Sequence, residues 1–147
     1  MKVLKTLIRS LIVTALAVPM IANAHGPLRD SMSDMYTHMK VLTNALIKGQ
    51  PATDEELKTA SNDLLKATVT ASKLLPKELV GADGKPLPAK KTEIATYNDL
   101  MTKLLAALTE LDQDIKAGKK DAAKLILQSK VAPLQKKGHE LFKHDNH

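Results

Sequence analysis

Residues 94–118, IATYNDLMTKLLAALTELDQDIKAG, decide the fold. Apolar side chains recur in this stretch at alternating intervals of three and four residues, and Gly118 stands where a helix would end. A repeat of about 3.5 residues places these side chains on one stripe of an α-helix. We therefore predict a helix that packs through this stripe against other helices. The stripe consists of Ile94, Tyr97, Met101, Leu104, Leu108, Leu111 and Ile115.

Three further segments have helical patterns, and breaks rich in Gly, Pro or polar residues separate them at 49–54, 76–88 and 117–121. The second segment begins at a capping box formed by Thr53 and Glu56. Four helical segments with short first and third connections predict an all-α fold, an antiparallel up-down-up-down four-helix bundle. The apolar positions of the first segment are Leu28, Met32, Met35, Met39, Leu42 and Leu46; those of the second are Leu57, Ala60, Leu64, Ala67, Ala71 and Leu74.

The fourth segment has a less regular stripe. Its inward positions are spaced 4, 4, 3, 4 and 3 residues apart, so that one residue is extra near Pro133. A proline inside a helix removes a hydrogen bond and bends the helix, so we expect the stripe to change phase before it reaches His139. The stripe consists of Ala123, Leu127, Val131, Leu134, Gly138 and Leu141.

The first 24 residues have the pattern of a secretory signal. Basic residues precede an apolar run at 11–22, and Ala22-Asn23-Ala24 fits a cleavage site. We predict a signal peptide at 1–24, cleaved after Ala24, and a four-helix-bundle domain at 25–147. No later stretch approaches the ~20 apolar residues of a membrane span, so we expect export, in a Gram-negative cell to the periplasm, without membrane insertion of the mature chain.

Composition excludes several classes of site. The chain has no cysteine, which excludes disulfides, thiolate metal sites and haem attached through thioether bonds. The formal charge of +6 falls to +3 without Lys2, Lys5 and Arg9, and the chain has two Tyr and one Phe. Such a mild charge and so few aromatic rings argue against nucleic acid as a partner.

Catalytic signatures are absent from the sequence. The stretch His139-Glu140-Leu141-Phe142-Lys143-His144 has one residue too many for a zinc-protease helix. Asp112 and Asp114 miss the spacing of a calcium loop. No phosphate-binding glycine loop and no nucleophile elbow are present. We therefore expect that the protein is not an enzyme.

Two groups of soft ligands remain. The predicted topology brings Met32 and His139 to the same end of the bundle at similar depth, and a thioether facing an imidazole is an axial pair for haem iron. From spacing alone, a solvated histidine near a helix end, favoured by the helix dipole, is the simpler explanation of His139. A copper(I) site at Met35, His38 and Met39 is the other possibility, although His38 points about 100° away from Met39 on a helix.

The mature chain resembles the cytochrome b562 family, in order along nearly all of 28–143. The stretches that carry the resemblance are LRDSMSDMYTHMKVL at 28–42, LPKELVGADGKPLP at 75–88, IKAGKKDAAK at 115–124 and KKGHELF at 136–142. The resemblance implies a periplasmic four-helix bundle that carries one non-covalent b-type haem. It places the axial ligands on Met32 and His139.

Further expectations follow from the same resemblance. The haem would be held beside Met35, and Tyr97 and Met101 stand where the family has phenylalanines. In the related cytochromes c prime, two cysteines bind haem at the positions of Gln135 and Gly138, so the resemblance implies haem b without covalent bonds. The protein would transfer electrons to redox partner proteins that the sequence does not identify. Leu28, Leu104 and Phe142 are also expected to keep water off the macrocycle.

An alternative is a haem-free four-helix bundle that acts as a periplasmic binding or stress protein. In one variant of this alternative, copper binds to the amino terminus and imidazole of His25, with His144 and His147 at the other end of the chain.

Overall fold

The computed structural model describes residues 25–142, and side chains from Gly26 onward. The predicted signal peptide, the side chain of His25, and residues 143–147 with His144 and His147 therefore lie outside the description. Between residues 25 and 142 the chain forms four helical rods and no strand, apart from an isolated bridge between Val80 and Pro86. The prediction of an all-α fold with four helices is confirmed.

The rods follow the predicted segments closely. They are α1 (His25–Leu46), α2 (Asp54–Ser72), α3 (Lys91–Lys116) and a fourth rod of three parts. The fourth rod consists of α4 (Lys120–Ile126), a π-helical turn (Leu127–Val131) and α5 (Ala132–Phe142). Short 3₁₀ turns at Lys77–Leu79 and Pro88–Lys90 lie in the connection between α2 and α3.

Local signals set two of the helix ends. The Thr53 N–H donates to the Glu56 carboxylate over 2.7 Å, and the Glu56 N–H donates to Thr53 Oγ1 over 3.1 Å, so the predicted capping box is present. Gly118 ends α3 with φ +73°, a conformation in which other residues are strained. The Lys119 N–H then donates back to the Asp114 carbonyl over 2.8 Å, which satisfies a carbonyl at the end of α3.

The core follows the predicted stripes in the middle of the molecule. The stripe of α3 is buried from Tyr97 to Ile115, and Leu42 and Leu64 are fully buried opposite it. Packing is looser where α1 begins and α5 ends, because Met35 and Phe142 are only half-buried and Met32 is 37% exposed. This loosely packed end contains the candidate site.

A buried polar contact joins α2 to α3. Asp112 is 5% exposed. Its carboxylate accepts a hydrogen bond of 2.7 Å from Ser61 Oγ and forms an ion pair with Lys116. A buried carboxylate is costly unless its oxygens are satisfied, so this contact favours one alignment of the two helices.

The stripe predicted for the fourth segment is wrong at its last position. Leu141 is 52% exposed, whereas the neighbouring Phe142 is half-buried and packs against the core. The physical reason is the π-helical turn at Leu127–Val131, because a π turn takes up one residue more than an α turn. The residues that follow are therefore rotated relative to a regular helix.

Candidate functional site

A cleft opens at the loosely packed end, between α1, α3 and α5. Its cavity volume is about 110 Å³ and its surface is mostly apolar. The lining residues are Met32, Met35, Tyr97, Leu100, Met101, Leu104, Leu134, Gln135, Gly138, His139 and Phe142.

Two potential metal ligands line this cleft from different helices. Met32 lies in the second turn of α1 and is 37% exposed, and His139 lies one turn before the described end of α5 and is also exposed. His139 borders a second, shallow depression on the outer side of α5 together with Lys136 and Glu140. The imidazole therefore stands at the rim, between the apolar cleft and solvent.

The floor of the cleft is formed by α3. Tyr97 is 3% exposed, and its ring meets that of Phe142 edge to face, with 5.3 Å between the ring centres and an angle of 88°. The Tyr97 hydroxyl donates a hydrogen bond of 3.2 Å to the Ala71 carbonyl in α2. Burial raises the pKa of Tyr97 to about 12, and the negative charge of Glu78 adds to this shift. The Tyr97 hydroxyl therefore keeps its proton to a higher pH than a free tyrosine does.

The structure brings all five predicted cofactor-binding residues to this single cleft. They are Met32, Met35, Tyr97, Met101 and His139. Leu104 and Phe142 line it as expected, whereas Leu28 is half-buried and packs against the core outside the cleft.

Four lining residues were not predicted as part of the site. Leu100 lies three residues after Tyr97 and four before Leu104, so helical spacing was a sufficient signal for it. Leu134 was assigned to the core stripe. Gly138 belongs to the same predicted stripe, and a Cβ added there would meet no atom within 4 Å. Gln135 was considered only as a position that lacks cysteine.

The alternative copper(I) ligands do not face one site. Met35 lines the cleft, whereas His38 lines a separate groove between α1 and the start of α2, with Glu55 and Glu56 on its other wall. Met39 is buried in the core at 9% exposure. Among residues 25–142 no group of three His, Asp or Glu side chains is arranged to hold a metal ion.

The residues of the cleft fit a haem group in chemistry. A thioether and an imidazole are ligands that haem iron accepts, and the apolar lining suits a porphyrin face. Ligand sites commonly have volumes of ~300–1000 Å³, so the cleft would have to widen to admit a porphyrin. The exposed positions of Met32 and His139 and the open space at Gly138 leave room for that widening.

Fold and cleft together define a class: all-helical proteins with an apolar cleft that a thioether and an imidazole line from different helices. Within that class, the chain belongs to the cytochrome b562 family, whose family model matches residues 27–143. Membership of this family implies a haem-binding helical cytochrome. Comparison with curated proteins found no match, and comparison with solved structures found none either. Along residues 25–142, no helix is long and apolar enough to cross a membrane.

Proposed function

We propose that this protein is a periplasmic electron carrier that binds one non-covalent b-type haem, with Met32 and His139 as the axial ligands. One observation carries the proposal. Two residues that lie 107 positions apart in the sequence, one a thioether and the other an imidazole, line the same apolar cleft. Membership of the cytochrome b562 family supports haem as the group that these ligands would hold.

The chain contributes ligands and a dry surrounding, and the bound haem would supply an iron that gains and loses one electron. Ligation by both Met32 and His139 leaves no coordination position for a substrate, which suits electron transfer and disfavours catalysis. Met101 and Leu104 are 7% and 8% exposed and exclude water from the floor. The hydrogen bond from Tyr97 to Ala71 keeps the only hydroxyl of the floor satisfied.

We further propose that the rods run up-down-up-down, as the sequence predicts. Contacts between residues far apart in the sequence support this arrangement. In antiparallel helices, a residue near the end of one helix contacts a residue near the start of the other. Between α2 and α3, Ser61 contacts Asp112 and Ala71 contacts Tyr97. Between α3 and the fourth rod, Glu110 contacts Lys130 and Tyr97 contacts Phe142.

Export also belongs to the proposal. Cleavage after Ala24 would release the chain that begins at His25 into the periplasm, where redox partner proteins would approach the mouth of the cleft. Amino-terminal sequencing of protein purified from a periplasmic fraction tests the cleavage. A mature chain that still carries residues 1–24 would contradict it.

Titration of the mature protein with haemin tests the function. We expect one haemin per chain and a low-spin absorption spectrum in both the oxidised and the dithionite-reduced states. Met32→Leu keeps the side-chain volume and removes the sulfur, and His139→Ala removes the imidazole, so each should convert the spectrum to high-spin.

Two matched controls make the titration specific. Met39→Leu changes a methionine of the core, and His38→Ala changes a histidine that lines the separate groove. Both variants should keep the low-spin spectrum. Haemin that stays unbound, or a spectrum that is indifferent to Met32→Leu and His139→Ala, would refute the proposed site.

A further inference from the structure

The fourth rod contains one residue more than a regular helix with the same inward face would need. At Leu127–Val131 the backbone makes a π-helical turn, and the Ala132 N–H donates to the Leu127 carbonyl, five residues back instead of four. Pro133 follows directly in the first turn of α5 and has no N–H to donate to the preceding turn. Turns of this kind commonly occur at functional sites.

A regular α-helix through this region would turn His139 away from the cleft. At about 100° per residue, the twelve residues from Leu127 to His139 would leave the imidazole about 120° from the inward direction of Leu127. On the same helix Leu141 would lie only about 40° from that direction and would be buried. The observed faces are the reverse, because Leu141 is 52% exposed and lies outside the cleft, whereas His139, although itself exposed, lines it.

When the π turn absorbs one residue, the observed faces follow. We count one residue fewer between Leu127 and each later residue, and measure angles around the helix axis from the inward direction of Leu127. Gln135 and His139 then lie about 20° to either side of it, and Phe142 lies about 40° away. Leu141 lies about 140° away. The first three residues line the cleft, and Leu141 does not. Contact between the Phe142 and Tyr97 rings supports the same rotation.

We infer that the π-helical turn at Leu127–Val131 sets the rotational register of α5, so that His139 faces the cleft in spite of the extra residue. The turn is a positioning element and touches no cofactor itself. Its effect on haem ligation rests on the proposed function of His139. The register is also a property of the haem-free chain, so it can be tested separately.

Thiol labelling tests the register without haem. The chain has no cysteine, so single Leu141→Cys and Gln135→Cys variants report one position each. With the register set by the π turn, a maleimide should react several-fold faster with the thiol at 141 than with the thiol at 135, and equally fast with both after unfolding in urea. Faster reaction at position 135 in the folded protein would overturn the inference, whether or not the protein binds haemin.

A deletion tests the connection to the site. Removing Gln128, which is exposed, should convert the π turn to an α turn without rotating α5, and Pro133→Ala in the same chain prevents a clash in the straightened helix. We expect this variant and its matched control, Pro133→Ala alone, to keep the low-spin haemin spectrum. An alanine inserted between Lys136 and Lys137 should rotate His139 by about 100° and abolish that spectrum, as His139→Ala does.

The outcomes separate the two proposals. A deletion variant that loses low-spin haemin while Pro133→Ala retains it would overturn the inference, and so would an insertion variant that retains it. If unaltered protein fails to bind haemin, the proposed function fails, and the labelling order of 141 and 135 still decides the register.

Discussion

Replacing Tyr97 by phenylalanine removes one buried hydroxyl, and we expect the effect on stability to depend on pH. Tyr97 is 3% exposed and donates to the Ala71 carbonyl over 3.2 Å. That carbonyl also accepts from the Leu74 N–H over 3.1 Å, so Tyr97→Phe leaves no buried acceptor unsatisfied. Loss of one hydrogen bond of this kind lowers the free energy of unfolding by about 1 kcal/mol, which we expect at pH 8.

At alkaline pH the hydroxyl has the opposite effect. Burial, with a contribution from Glu78, raises the pKa of Tyr97 from 10.0 to about 12, so the folded state holds this proton more tightly than the unfolded chain does. The resulting stabilisation is complete below pH 10 and is lost as the pH rises through 12. At pH 11 the loss is about 1.4 kcal/mol, the equivalent of one pKa unit. Tyr97→Phe lacks this loss, so its disadvantage should vanish or slightly reverse at pH 11.

Urea unfolding at pH 8 and pH 11, followed by far-ultraviolet circular dichroism, measures both effects. The matched control is Tyr36→Phe, which removes a hydroxyl from a side chain that is 63% exposed and should change little at either pH. A stability difference between wild type and Tyr97→Phe that is the same at both pH values would refute the argument from burial.

Three further predictions concern stability, each measured by urea unfolding at neutral pH. Leu127→Ala should lower the free energy of unfolding by about 2–5 kcal/mol, because this side chain is 2% exposed. Leu141→Ala should lower it by less than about 1 kcal/mol, because Leu141 is 52% exposed. Equal losses would contradict the assignment of Leu127 to the buried face and Leu141 to the exposed face. Thr53→Ala should lower it by about 1 kcal/mol through loss of the cap of α2, and an unchanged midpoint would show that the cap is not stabilising. Ser61→Ala removes the donor to the buried Asp112 carboxylate and should cost about 1–3 kcal/mol, so a neutral effect would argue against that contact.

Most of the fold could be predicted because its signals are local or periodic. The stripe of α3 repeats over seven positions, and each of them is at least half-buried. Thr53 and Glu56 lie three residues apart and form their hydrogen bonds with little help from the rest of the chain. Gly118 similarly ends α3 through its own backbone freedom.

The membership of the cleft could be predicted in part. Met32 and His139 line one cleft, as expected from their positions in the first and fourth segments, and the stripe of α3 supplies Tyr97 and Met101. The size of the cleft could not be predicted, because it depends on how far Phe142 and its neighbours fill the space between three helices.

The amino-acid sequence by itself determined the helices, their ends and the composition of the inward stripes, because these depend on residues within a few turns of one another. It also contained the extra residue near Pro133, but periodicity does not decide whether a helix absorbs such a residue or rotates beyond it. Only the tertiary structure decided this. Leu127 and Val131 are buried against α3, and Phe142 packs on Tyr97 from the same rod, so both ends of the rod must face inward at once. A π turn between them satisfies both ends, which is why His139 lines the cleft and Leu141 faces solvent.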